Sequence, residues 1–202
     1  MKWDEFLSTV RKWPVIETSL LIKKNPSLRV QINRWVKANK LIKLKRGFYL
    51  LAKQYRQLDL FEPYLANVLK SPSYLSLEKA LEYYNLIPEG VAVFTSVTTM
   101  RQGRFLSKVG VFDYRHIKSD LFWGYKSVKL NKQIGFIAEP EKALLDFFYL
   151  KAPKFYKDFI YELRLQDLDK LNVKRFLDYA HKFKKPKIVK VAKLIANKIK
   201  DY

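Results

Sequence analysis

Apolar positions in the first 57 residues fall into three helical patterns and two strand patterns. Trp3, Phe6, Leu7 and Val10 recur at three- and four-residue spacing and predict a helix over Trp3–Lys12, ended by Pro14. Leu20, Leu21 and Ile22 mark a shorter helix over Glu17–Lys24. Asn25-Pro26-Ser27 is a turn, and Ser27 has the side chain to cap the helix that follows. Over Ser27–Asn39, Leu28, Ile32, Trp35 and Val36 form an apolar stripe, while Arg29, Val30, Asn33, Arg34, Lys37 and Lys40 occupy the opposite face. Leu41–Leu44 and Phe48–Leu51 then read as two strands around a Lys45-Arg46-Gly47 turn. Helix, turn, helix and basic hairpin predict a winged helix-turn-helix domain over residues 1–57. Its third helix would enter the major groove of duplex DNA, and its wing would touch the backbone or the minor groove.

Residues 58–202 predict a second domain. Helices over Leu58–Lys70 and Leu77–Tyr84 are separated by a Ser71-Pro72-Ser73 break. The β-branched run Val91–Val97 reads as a buried strand. Arg104–Leu106 with Val109–Ile117, and Lys126–Leu130 with Ile134–Ile137, read as two hairpins. Pro140 suits the first turn of a helix running to Leu150. The class is therefore α+β, with a small, mainly antiparallel sheet flanked by helices. From about residue 151 to 202 the pattern is helical and basic. One helix is suggested by Phe155, Phe159, Ile160 and Leu163, and another spans Val173–Phe183. A last one covers Lys187–Lys200, with Ile188, Val191, Ala192, Ile195 and Ile199 in a stripe that reads as packed against the domain; Lys187, Lys190, Lys193, Lys198 and Lys200 lie along the rest, and a DNA-backbone clamp, a dimer helix and a membrane-surface helix are the alternatives.

Charge sharpens this division. The 202-residue chain has a formal net charge of +21. Residues 1–57 hold 14 basic and 3 acidic side chains, residues 58–150 hold 11 and 10, and residues 151–202 hold 15 and 6. Basic ends around a balanced middle point to a polyanionic partner, nucleic acid first. There is no cysteine, so disulfides and thiolate metal sites are excluded. With only His116 and His181 besides, no metal site and no cofactor is expected. No run of ~18 apolar residues spans a membrane, and the N-terminus MKWDEFLSTV lacks a signal-peptide core. A cytoplasmic protein is expected.

One stretch is specific enough to compare with known families. Ser71-Pro-Ser-Tyr-Leu-Ser-Leu-Glu-Lys-Ala-Leu-Glu-Tyr-Tyr-Asn-Leu-Ile-Pro-Glu89 resembles a signature of the AbiEi antitoxins. Thr95–Arg101, Tyr114–Ile117, Phe122–Tyr125 and Ile137–Asp146 follow in the same order, and Lys45-Arg-Gly-Phe-Tyr-Leu50 is similar to that family's wing. The resemblance covers residues 10–150. It implies a transcriptional autorepressor and antitoxin of a type IV toxin–antitoxin (abortive-infection) system. It also implies binding to inverted repeats in its own promoter, with one copy per half-site. The partner toxin would be a nucleotidyltransferase, countered without a stable complex.

The candidate DNA-contacting residues are Ser27, Arg29, Val30, Asn33, Arg34, Lys37, Lys43, Lys45 and Arg46. Arg34 and Asn33 have the side chains that pair bidentately with guanine and adenine, and Val30 would suit a thymine methyl. Arg101, Arg104, Arg115 and Lys118 come from neighbouring parts of the sheet and form a candidate antitoxin patch. The alternatives are a solvated surface for these cations, a nuclease targeted by the wing, and a regulator whose middle domain takes a small effector. A nuclease would need a strand-borne Glu-x-Lys beside an Asp, which no predicted strand carries, so no catalytic residue is expected. In Glu139-Pro-Glu-Lys142, the acids suit a helix first turn, and Asp146 lies at i+4 from Lys142, the spacing of a surface ion pair. His116 reads as structural, and Ser71, Ser73 and Ser76 as turn and cap residues.

Overall fold

The computed structural model describes residues 1–151, 160 and 162–200. Its N-terminal part runs α1 (Trp3–Val10), β1 (Ile16–Glu17), α2 (Ser19–Lys24), α3 (Leu28–Lys37), β2 (Leu41–Lys45) and β3 (Phe48–Leu51). Both predicted strands are present. The two-residue β1 was not expected, because Ile16-Glu17 is too short to show alternation. It pairs antiparallel with β3, giving a three-stranded sheet in the order β1-β3-β2. Gly47, at φ +84, makes the β2–β3 turn in a conformation that L side chains rarely adopt. Phe6, Val10, Ile16, Leu28, Ile32, Trp35, Leu41, Tyr49 and Leu51 form one closed core. Trp35 packs against Trp3 and Phe6 at ring separations of 5.2 and 4.7 Å.

The rest is α+β, as the pattern predicts. After α4 (Glu62–Leu69) come β4 (Ser73–Leu75), α5 (Leu77–Tyr83), β5 (Val93–Thr98), β6 (Gly103–Ser107) and β7 (Gly110–His116). β8 (Tyr125–Leu130), β9 (Gln133–Ala138), α6 (Pro140–Leu150), α7 (Val173–Lys182) and α8 (Pro186–Lys200) complete the described chain. The helix predicted around Phe155–Leu163 falls largely outside the described residues. The six strands lie in the order β6-β7-β5-β4-β9-β8. The pairings β6–β7, β4–β5 and β8–β9 are antiparallel, while β5–β7 and β4–β9 are parallel. The central strand β4 lies where a break was expected. Its three residues are all buried, so neither alternation nor length marks it.

The strand register sorts side chains onto two faces. Tyr74, Val97 and Arg115 share one face, and Leu75, Ser96 and Tyr114 the other. Tyr114 donates its hydroxyl to the Ala66 carbonyl of α4, and Asn67 of α4 donates to the Ser73 carbonyl, so α4 covers the second face. Gly135 of β9 meets α4 so closely that a Cβ would stand 2.4 Å from the Pro63 carbonyl carbon. α5 and α6 cover the first face: the Lys79 amide donates to Thr95 Oγ1, and Tyr74 reaches Asp146 of α6. α7 and α8 lie beyond α6. Trp123 packs edge-on to Tyr179 and Phe183, and the stripe Ile188, Val191, Ala192 and Ile195 is buried.

The hairpin β2–β3 belongs to both cores. Leu41, Tyr49 and Leu51 lie in the N-terminal one, while Leu44 and Leu50 lie in the larger one.

Candidate nucleic-acid interface

α3 separates its two faces cleanly. Leu28 and Ile32 are buried and Trp35 is nearly so, while Arg29, Val30, Asn33, Arg34 and Lys37 are exposed. Val30 is 54% exposed, which leaves a branched apolar side chain in solvent among cations. No acidic residue occurs in α3. Ser27 is exposed beside it but does not cap it. Its own backbone is already helical (φ −65, ψ −18) and its Oγ donates to Asn25 Oδ1 at 2.7 Å. The first amides of α3 are met instead by the turn itself, Leu28 N–H on the Asn25 carbonyl and Val30 N–H on that of Ser27. α2 precedes this turn, with Leu20 71% exposed.

In the hairpin, Lys43 and Arg46 are exposed. Lys45 is half-buried and its ammonium is already engaged. Its Nζ donates to the Val68 and Leu69 carbonyls at 3.3 and 2.6 Å, the open C-terminal end of α4. An ammonium there satisfies orphan acceptors and meets the negative end of the helix dipole. Burial lowers its pKa, with Glu17 opposing that shift. The β2–β3 register shifts between Lys43 and Lys45, and this irregularity lets Lys45 follow Leu44 toward the larger domain, while Arg46, in the turn, is exposed. A second bond ties the parts together: Lys108, in the β6–β7 turn, donates to Asn39 Oδ1 at 3.0 Å.

The four candidate patch residues are not one cationic surface. Arg104 and Asp113 are paired across β6–β7, so they share a face with Arg115. Arg115 spends its guanidinium on Asp113 at 3.1 Å. Both arginines line a groove of about 640 Å³, together with Glu78, Glu89, Asp113, Glu162 and Lys151. Four carboxylates against three cations make that groove mixed in sign, and Glu78 is itself paired with Lys151. Arg101 and Lys118 are exposed but stand outside it; the Arg101 carbonyl accepts from Lys70, at the end of α4. His116 is also exposed, its Nδ1 3.1 Å from the Met100 carbonyl.

The Glu139–Asp146 stretch is buried, not a surface pair. Lys142 and Asp146 are 0% exposed and ion-paired through Nζ and Oδ1. Tyr74 and Ser76 each donate to Asp146 Oδ2 at 2.9 Å, and Lys142 also donates to the Tyr74 hydroxyl at 2.9 Å. Ser76, expected as a cap, makes no capping bond because its hydroxyl is engaged here. Burial pushes the Asp146 carboxyl up and the Lys142 ammonium down; each charge opposes the other's shift. Glu141 takes the Arg175 guanidinium and the Asn172 amide, and Glu139 takes the Tyr179 hydroxyl. The stretch therefore fastens α7 to α6. Sequence spacing found the pair but not its surroundings, which come from β4, a strand with no sequence signal.

Between α7 and α8, part of the lysine face that the sequence marks on the last helix, Lys190 and Lys193, meets the end of α7. His181, Lys184, Lys185, Lys190, Lys193 and Asn197 line an open groove of about 650 Å³. Among the described residues, no three His, Asp or Glu side chains gather as a metal site, and no helix is long and apolar enough to cross a membrane. No protein-family model and no curated protein matches the chain.

Proposed function

We propose that the chain is a DNA-binding repressor that acts through α3, and that its N-terminal part works as a winged helix-turn-helix. The observation that carries this is the two-sided α3. One stripe is locked into an aromatic core, while the other presents Arg29, Val30, Asn33, Arg34 and Lys37 to solvent with no neighbouring acid on the helix. Such a face can offer bidentate donors to guanine and adenine and an apolar contact to thymine. Lys43 and Arg46 supply phosphate contacts from the hairpin. One module of this size reads few base pairs, so two copies on inverted repeats of its own promoter complete the reading.

The order of motifs similar to AbiEi supports the second half of the proposal: the chain is a type IV antitoxin that counters a nucleotidyltransferase toxin, with residues 58–202 carrying that role. It acts as a binding protein in the cytoplasm, not as an enzyme. Binding of the purified protein to its own upstream region tests the first half. Arg34→Ala should cost about 1–3 kcal/mol and relax specificity at one position. Arg46→Ala should weaken all sequences alike and lower the salt slope by about one. Wild-type affinity in Arg34→Ala would remove α3 from the interface.

A further inference from the structure

The groove between α7 and α8 is built so that its lysines cannot turn inward. The stripe Ile188, Val191, Ala192 and Ile195 is buried against the domain, and Phe183 closes the end of α7. On the side left open stand His181, Lys184, Lys185, Lys190 and Lys193, with the half-buried Val189 and Leu194, and with Pro186 and Asn197, between them. Among the described residues, no carboxylate lines the groove. Cations gathered in this way raise the local potential and draw a polyanion.

Its place in the fold separates it from α3. The N-terminal part meets α4, through Lys45 and the Val68 and Leu69 carbonyls, on one face of the six-stranded sheet. α7 and α8 lie beyond α6 on the opposite face, held by Glu139, Glu141 and Trp123. The two surfaces are therefore carried by different elements: α3 by the part that rests on the end of α4 and the β6–β7 turn, the groove by helices that rest on α6. The lining also narrows the class of polyanion. None of the exposed large hydrophobic residues among the described ones lies on α7 or α8. Without such anchors the pair is not a membrane-inserting surface. Its lining holds one ring, the imidazole of His181, and no Phe, Tyr or Trp, so it lacks the row of rings on which successive single-stranded bases stack. What remains is contact with a phosphate backbone whose shape is already set, and double-helical RNA is recognised mostly in that way.

We propose that the α7–α8 groove binds the backbone of a structured RNA, as a second nucleic-acid surface independent of α3. The choice of RNA as partner rests on the antitoxin half of the proposed function; the independence of the two surfaces does not. The test uses the full-length protein with a fluorescent RNA stem-loop and, separately, the labelled upstream DNA, by anisotropy at low and moderate salt. Lys184→Glu/Lys185→Glu/Lys193→Glu should lower RNA affinity at least tenfold and leave DNA affinity within about twofold. Arg34→Ala should lower DNA affinity at least about fivefold and leave RNA affinity within about twofold. Lys184→Gln/Lys185→Gln/Lys193→Gln is measured beside it, so that loss through misfolding is told from loss of charge by an unchanged melting curve. Failure of the wild type to bind the stem-loop at low salt overturns the inference. So does equal loss of DNA and RNA binding in the triple variant, or competition between the two probes. Flotation with anionic phosphatidylglycerol vesicles but no RNA binding also overturns it. RNA binding that survives while upstream DNA is ignored would remove the repressor reading and leave this one standing.

Discussion

Lys142 and Asp146 give the sharpest test of how the larger domain is held together. Both side chains are 0% exposed, and the pair sits under Tyr74, Trp123 and Phe183, whose rings lie 5.0–5.4 Å from the ammonium. Replacing Lys142 with Met keeps the length of the side chain but strands a carboxylate whose other partners are two hydroxyls. Removing one partner of a buried pair costs about 3–5 kcal/mol, against a total stability of about 5–15 kcal/mol for a domain. The stranded carboxyl can recover part of that by taking a proton. Burial already raises its pKa above the ordinary 3.8, and loss of the lysine raises it further. A group raised in the folded state contributes stability below its unfolded pKa and loses it as pH rises through the folded one. Lys142→Met should therefore be less destabilised near about pH 5 than near about pH 8. The double variant Lys142→Met/Asp146→Leu should fall within about 2 kcal/mol of wild type, because apolar replacement of the whole pair removes the desolvation penalty. Urea unfolding followed by circular dichroism at both pH values measures all three. A single variant within about 1 kcal/mol of wild type, or a loss equal at both pH values, would refute the account.

Lys45→Ala should lower the unfolding midpoint and leave the salt slope of DNA binding unchanged, since Lys45 holds α4, not phosphate; a slope reduced by one, as expected for Arg46→Ala, would return it to the interface. Tyr74, Tyr84, Tyr114 and Tyr179 are all raised by burial, Tyr179 to about 12 with help from its bond to Glu139. Because the folded state holds these protons more tightly, stability should be intact below about pH 10 and decline above it. Tyrosinate absorbance should rise in step with unfolding, and Tyr179→Phe should flatten the first part of that decline.

Elements with strong periodicity were legible from sequence: α1, α3, α6 and α8 carry apolar stripes, and the β2–β3, β6–β7 and β8–β9 hairpins carry turn residues between β-rich runs. β1 and β4 were not, because two or three residues cannot display a period, and β4 is buried on both faces. That gap explains the misreadings at the candidate sites. Without β4, Lys142 and Asp146 look like a solvated i,i+4 pair, and Ser76 looks like a cap. The bonds of Lys45 were not legible for another reason. A basic turn in a wing looks the same whether its lysine faces solvent or the end of another helix, and the helix that receives it is 23 residues away. Arg104 and Arg115 were correctly brought together by the sheet, but the carboxylates that share their groove come from other elements.

The β2–β3 hairpin packs one face in each core, and Lys45 and Lys108 pin its surroundings. The joint between the two parts is thus a shared girder and not a tether. A tethered reader can swing to meet half-sites at several separations. A reader cast in one piece with the body that carries it works as a fixed gauge. If two such bodies meet on DNA, the distance between their α3 helices is set by protein geometry. Inserting half a helical turn between the repeats should then abolish paired binding instead of merely weakening it.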